Sequence, residues 1–313
     1  MDITILLWLQ KLREAMGPAA NVIAYLSDFL VFSALFVPFI WYWCTNKEDG
    51  KDVLLALAVS LFINQFLKVT FSVYRPWIRD PAITPSYTAM QFATGYSFPS
   101  AHTQICGTIY GYLAVKLYPK NKKLSALCIL VILFTGFTRM FLGVHTPQDV
   151  LTGMAIAAVS VWGVLKANVF IEANPHYRKY FAITALILSV IGIAYAVNKS
   201  YPMDFVDGIL VVDPVKMVAD ALLCIGIFFG IFWGNALEQK YLGFTQPAIR
   251  KEKIKRFVIG LVLVAVLFLA MKFLDLKVLR PGPEALVFGV AGGVFIMYLY
   301  PLLCMRHEAR MSH

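Results

Sequence analysis

Long apolar stretches recur along the whole chain, and they limit its fold more than any other feature. A helix needs about 20 mostly apolar residues to cross a bilayer. Nine stretches approach or exceed that length, at roughly 22–44, 52–68, 100–118, 124–142, 148–166, 181–198, 215–234, 257–275 and 284–304. Aromatic residues suited to the membrane interface close the first (Trp41, Tyr42, Trp43) and the last (Tyr298, Tyr300). The connections are mostly short, and neither a repeat nor a low-complexity segment interrupts them. The expected fold is therefore an all-α, polytopic transmembrane helical bundle of about nine spans. Composition agrees: 59% of the residues are hydrophobic and 15% charged, against about 45–50% and about 25% in soluble domains.

The first residues, ITILLWLQ, are too short for a cleavable signal and are followed by Lys11, Arg13 and Glu14. They predict an amphipathic helix at the interface, the competing reading being a frayed terminus. Cys44, Cys106, Cys128, Cys224 and Cys304 all fall inside apolar runs without ligand spacing, so they read as small buried hydrophobes.

The net charge of +10 marks topology rather than a nucleic-acid partner. Most Lys and Arg collect in the connections near 47–51, 116–123, 178–179, 250–256 and 306–310. The positive-inside rule puts these connections, and the C-terminus, in the cytoplasm. The basic run Arg250–Arg256 abuts a span and suits either topology marking or anionic headgroups. The N-terminus then faces outward or into a lumen, most simply across the plasma membrane.

Three polar stretches end hydrophobic segments on that outward side: 68–76, 97–102 and 138–149. They hold Lys68, Arg75 and Arg139, the histidines His102 and His145, and Asp149. Arginine or lysine inside a membrane costs at least about 2.5–3.5 kcal/mol on insertion scales. Snorkelling at a helix end explains one such residue, but not three beside two histidines. Arginine offers a two-pronged fork for phosphate and lysine a point charge. Ser97 or Ser100 can cap a helix whose first turn would include Pro99, and the free N–H groups there attract anions. Thr146, Pro147 and Asp149 resemble a capping box. Asp149 has a second possible task, accepting a hydrogen bond from His145 Nδ1, which would leave Nε2 free to attack phosphorus. The two tasks compete for one carboxylate.

Lys68-x6-Arg75-Pro76, Pro99-Ser100-Ala101-His102 and Thr138-Arg139-x5-His145-x3-Asp149 together resemble the signature motifs of the type-2 phosphatidic acid phosphatase superfamily. That group includes membrane lipid-phosphate and prenyl-diphosphate phosphatases, glucose-6-phosphatase and the soluble vanadium haloperoxidases. The resemblance spans about residues 68–149, and a six-helix core would extend it to 1–200. It implies that His145 is the nucleophile, forming a phosphohistidine, and that Asp149 orients it. It implies that His102 protonates the leaving oxygen and then activates water. Lys68, Arg75, Ser100 and Arg139 would hold the phosphate, with the amides near Ala101 and His102. No metal and no cofactor are expected. Ala101 stands where glycine is usual, so the loop has to accept a Cβ. Thr138 stands where serine is usual and keeps the hydroxyl.

Residues 201–313 lie beyond that core as an extension of three spans, similar to the extra C-terminal helices of glucose-6-phosphatase and sphingosine-1-phosphate phosphatases. They would wall the substrate entrance or form a homodimer face. Asp204, Asp207 and Asp213 match no calcium loop and read as a solvated outward loop, and Arg280–Glu284 as a turn. Phe71, Tyr74, Trp77, Tyr87, Phe92, Tyr96 and Phe98 would line an acyl or prenyl path or anchor the interface. The expected partner is a membrane lipid substrate in the bilayer, and the expected reaction is hydrolysis of a lipid phosphate or prenyl diphosphate. A sugar-phosphate phosphatase and a lipid phosphotransferase are the alternatives. A transporter or scramblase would show charges inside its spans and matched broken helices, whereas the charges here gather on one side.

Overall fold

The computed structural model describes residues 2–93, 95–206, 208–247, 249–275 and 282–311. Asp207, Arg280 and Pro281 of the expected loop and turn lie outside these residues. The chain is helical nearly throughout. It opens with α1 (Asp2–Met16), α2 (Ala19–Ala34) and α3 (Phe36–Ile40), which runs into a π-helical turn, Trp41–Thr45. There follow α4 (Lys47–Phe71), the short α5 (Pro76–Arg79) and α6 (Tyr87–Phe92), then α7 (Ala101–Leu117), α8 (Lys122–Phe141), α9 (Pro147–Ala173) and α10 (Arg178–Asn198). A small hairpin comes next, β1 (Phe205–Val206) antiparallel to β2 (Ile209–Leu210). The last helices are α11 (Pro214–Tyr241), α12 (Arg250–Asp275), α13 (Pro283–Val294) and, after a second π turn, α14 (Tyr300–Met311).

Among the described residues, seven helical segments are long and apolar enough to cross a membrane: Ala19–Thr45, Lys47–Arg79, Lys122–Phe141, Pro147–Ala173, Pro175–Asn198, Pro214–Tyr241 and Pro283–Glu308. The two other expected spans coincide with α7, 17 residues long, and α12, 26 residues long.

Packing divides the chain into two compact units. One comprises Met1–Leu35, Ile63–Trp162 and Ser200–Met217, and it holds all three polar stretches. In it α7 and α8 form an antiparallel pair, Ser125 Oγ donating to Ala114 O (2.9 Å) near the turn and Thr135 meeting Cys106 further along. Helix α2 packs against both. Helix α9 closes on this pair through glycines, as small residues allow between membrane helices. A Cβ at Gly136 would stand 2.7 Å from Val150 Cγ1, and one at Gly153 only 2.9 Å from Ser100 O.

Helix α1 is ordered by contacts that a frayed terminus would lack. Arg13 Nη1 donates to Phe141 O (2.8 Å) at the end of α8, and its Nη2 to Thr84 O. Gln10 Oε1 accepts from Thr84 N (2.9 Å). Leu6 and Leu9 are buried, while Ile5, Trp8 and Leu12 form an exposed apolar face, the pattern of an interfacial helix. The hairpin carries Gly208 in the left-handed region (φ 77°). Asp204 Oδ2 accepts from Tyr74 OH (2.6 Å), and Asp213 Oδ1 accepts from Val215 N (2.9 Å) at the start of α11.

The other unit comprises Phe36–Phe62, Gly163–Lys199 and Val218–His313. Helices α11 and α13 approach closely, so that a Cβ at Gly226 would lie 3.0 Å from Gly289 Cα and one at Gly230 3.1 Å from Gly293 Cα. Lys47 pairs with the buried Glu238 (2.7 Å). Arg256, the last residue of the basic run, is buried and donates to Thr245 O (3.0 Å), so it does not share the run's exposed face.

Candidate active site

His145 lies in the short connection between α8 and α9. Thr146 and Asp149 start α9 with the reciprocal capping bonds read from the sequence: Thr146 N donates to Asp149 Oδ2 (2.8 Å) and Asp149 N to Thr146 Oγ1 (3.4 Å). The same Oδ2 faces His145 Nδ1 at 3.3 Å and accepts from Ser97 Oγ at 2.5 Å. One carboxylate oxygen therefore performs both tasks, and they do not compete. Oδ2 also marks the meeting of two polar stretches, because Ser100 N donates to Asp149 O (3.0 Å) beside it.

The third stretch arrives through Arg75, the residue before α5. Its Nη1 lies 3.0 Å from His145 Nε2 and donates to Val144 O (3.0 Å), while Nε donates to Gly95 O (3.1 Å). A guanidinium has donors and no acceptor. His145 Nε2 must then present its lone pair, and the ring proton sits on Nδ1, toward Asp149. Burial, and after it the Arg75 charge, hold the His145 imidazole far below the ordinary histidine range, to about 3. The ring is neutral at physiological pH, with its lone pair covered by an N–H that a phosphate oxygen can take over.

Arg139, near the end of α8, is buried to 2% exposure. Its Nη2 donates to Ser27 Oγ (2.8 Å) and to Asp28 Oδ1 (3.2 Å), both on α2. Ser27 in turn reaches Thr138 Oγ1 (2.7 Å), and Thr138 donates to Thr135 O (2.7 Å). With Arg139 donating to Ser27, the hydroxyl protons run one way along this chain, so threonine serves where serine is usual. Arg139 Nε is buried with no partner among the described residues. A buried unpaired donor costs about 1–3 kcal/mol, and an anion would remove that cost. His102 Nε2 stands 3.8 Å from the same Asp28 oxygen. His102 and Asp28 keep 22% and 17% side-chain exposure, whereas Lys68, Arg75, Arg139, His145 and Asp149 are all buried. The site therefore opens at His102 and Asp28.

The other expected phosphate ligands differ in their surroundings. Lys68 Nζ, on the last turns of α4, donates to Tyr96 O (3.0 Å). Ser100 caps α7: its Oγ accepts from Thr103 N (3.5 Å) and exchanges a hydrogen bond with Thr103 Oγ1 (3.0 Å). Ala101 is the first residue of α7, where N–H groups lack intrahelical acceptors. Among the described residues the only non-glycine at positive φ is Ser72, so Ala101 carries its Cβ without backbone strain. Pro99 lies one residue before the cap, after a cis Phe98–Pro99 peptide, and not in the first turn of the helix. Of the aromatic residues, Phe71 and Tyr87 are exposed, while Tyr96 is fully buried against Val212 and Met217 and lines no open path.

Sequence reasoning missed Asp28, Ser27 and the contact of Ser97 with Asp149. Asp28 is a carboxylate within an apolar span, a signal of the kind that singled out Lys68, Arg75 and Arg139.

Residues 49–173 match the model of the PAP2 superfamily, and residues 223–311 match that of the transmembrane extension of PAP2 superfamily phosphatases. The chain is 26% identical over 164 residues to an Escherichia coli protein provisionally named an undecaprenyl-diphosphatase, covering 50% of this chain and 79% of that one. It is 27% identical over 145 residues to an undecaprenyl-diphosphatase of Bacillus subtilis (44% and 69%). It is 30% identical over 137 residues to phosphatidylglycerophosphatase B of the same bacterium (42% and 63%). No solved structure matches the chain.

Proposed function

The chain belongs to the PAP2 superfamily, and from that membership we propose that it is a membrane phosphatase that hydrolyses a lipid phosphate or prenyl diphosphate through a phosphohistidine. The observation that carries this reading is the state of His145, a neutral imidazole with its proton directed to Asp149 and its Nε2 lone pair facing the Arg75 guanidinium. A phosphoryl group docking on Arg75, Lys68 and Arg139 brings phosphorus to that lone pair. The Nε2–P bond forms as the bond from phosphorus to the leaving oxygen breaks, and the proton of a protonated His102 passes to that oxygen. Water then attacks the phosphohistidine, gives its proton to His102 and releases inorganic phosphate, restoring His145. The transition state spreads negative charge over the phosphoryl oxygens, and fixed cations offset it without reorganising. The site's own donors supply that charge, which supports a reaction independent of metal. Residues 1–200 would carry the chemistry, with the site on the extracytoplasmic face, and 201–313 would extend the membrane domain. The names of the bacterial relatives favour an undecaprenyl diphosphate or a glycerophospholipid phosphate as substrate.

The test is phosphate release by the purified protein in detergent with EDTA, beside His145→Ala. The substrates are a prenyl diphosphate, phosphatidic acid, sphingosine-1-phosphate and glucose-6-phosphate. EDTA-resistant turnover of a lipid, lost in the variant, is expected. Turnover that survives His145→Ala overturns the nucleophile, and turnover of glucose-6-phosphate alone moves the substrate to a soluble sugar phosphate.

A further inference from the structure

Asp28 is a carboxylate inside a site built to bind an anion, and it sits on α2, outside the matched residues 49–173. Such a placement opposes substrate binding unless the charge has another use. Its Oδ1 lies 3.2 Å from Arg139 Nη2 and 3.8 Å from His102 Nε2. The groups on the surrounding elements that oppose a charge on His102 are Arg139 on α8, His145 before α9, Arg75 before α5 and Lys68 on α4, and the carboxylate that faces it is Asp28. Three of these are cations. A general acid has to hold its proton until the leaving oxygen takes it, and neighbouring cations oppose that. The site's other carboxylate, Asp149, is engaged with His145, Ser97 and Thr146.

We propose that Asp28 is a positioning residue, the counter-ion that keeps His102 protonated for transfer to the leaving oxygen and that anchors Arg139 beside it. This rests on the phosphatase reading above. In the step it serves, the bond from phosphorus to the leaving oxygen breaks as His145 Nε2 bonds to phosphorus, and the His102 proton moves to the departing oxygen. Arg139 offsets the repulsion between Asp28 and the substrate phosphate, so the carboxylate does not empty the site.

The experiment uses the full-length protein in detergent as wild type, Asp28→Asn and Asp28→Glu, each checked for folding by gel filtration. Diethyl pyrocarbonate acylates neutral imidazole, and peptide mapping by mass spectrometry follows His102 alone across pH. In Asp28→Asn the midpoint of His102 acylation falls by about one pH unit or more, and Asp28→Glu recovers most of that shift. An unchanged midpoint overturns the proposal. The second readout compares an alkyl phosphate monoester, lysophosphatidic acid, with p-nitrophenyl phosphate, whose leaving group needs little protonation. Asp28→Asn lowers kcat for the alkyl ester by about 100-fold and for the aryl ester by about threefold or less. Equal losses on both overturn the proposal and leave Asp28 a structural residue. A shifted midpoint in a protein that turns over neither ester nor a prenyl diphosphate supports the counter-ion and overturns the phosphatase reading alone.

Discussion

Replacing Asp149 by asparagine separates the charge of this residue from its geometry. Its Oδ2 takes His145 Nδ1 at 3.3 Å, Ser97 Oγ at 2.5 Å and Thr146 N at 2.8 Å. An asparagine oxygen in that position accepts from the same three groups. The His145 tautomer also holds, because Arg75 Nη1, 3.0 Å from Nε2, can only donate and so keeps the ring proton on Nδ1. The charge is lost, and an NH2 takes the place of Oδ1. A charge-assisted hydrogen bond exceeds a neutral one by about 1–1.5 kcal/mol, and in the proposed mechanism the ring becomes positive as it is phosphorylated. Asp149→Asn is therefore expected to lower kcat by about 5- to 13-fold. That is far less than the roughly 10⁴-fold loss in serine proteases, where the same exchange yields the wrong tautomer. Asp149→Ala strands three donors at roughly 1–3 kcal/mol each, one of them the Thr146 N–H that closes the capping box at the start of α9. It should lower kcat by more than about 10³-fold and also lower the melting temperature. Steady-state phosphate release and thermal gel filtration on the two variants decide the matter. An asparagine variant as inactive as the alanine one, at wild-type melting temperature, would refute the tautomer lock by Arg75.

Two further predictions concern the frame around this pair. Gly153→Ala puts a Cβ 2.9 Å from Ser100 O, so α9 has to retreat about half an ångström, at a cost of about 1–3 kcal/mol and about tenfold or more in kcat. Gly163→Ala on the same helix meets nothing within 4 Å and should cost neither; equal behaviour of the two in melting and turnover would contradict the close approach. The second prediction follows from the depressed His145 titration. Between the unfolded value of about 6.5 and the folded one of about 3, the unfolded chain binds a proton that the folded chain refuses. Stability should thus fall as the pH is lowered through that window, by up to about 1.4 kcal/mol per unit. His145→Gln should flatten the fall in melting temperature between about pH 6.5 and 4, and parallel curves would exclude a buried neutral ring.

The helical bundle was legible because apolar runs of span length leave few other structures, and the start of α9 because Thr146, Pro147 and Asp149 follow local capping rules. Span limits were less so. Helix α9 runs on to Ala173 past Lys166, and α4 begins at Lys47, since long cationic side chains near helix ends leave helical geometry undisturbed. The cations and histidines of the site stood out as polar residues against apolar sequence. Asp28 is equally anomalous, but its meaning depends on α2 packing against α7 and α8, a tertiary fact with no local periodicity. Ser97 and Ser100 looked interchangeable as caps. In the fold Ser100 caps α7 and Ser97 donates to Asp149 Oδ2. The 205–210 hairpin went unforeseen, its strands being only two residues long.

Active-site residues are commonly tuned for chemistry at the expense of the fold, so that replacing them stabilises a protein. Asp149 should behave in the opposite way, because the oxygen that faces His145 also begins α9. A lineage that abandoned the reaction would gain no stability by discarding this aspartate and would keep it for architectural reasons. In this fold, retention of the aspartate is thus poor evidence that activity survives, and on the proposed mechanism His145, which begins no helix, is the residue whose loss would mark a descendant that has given up catalysis.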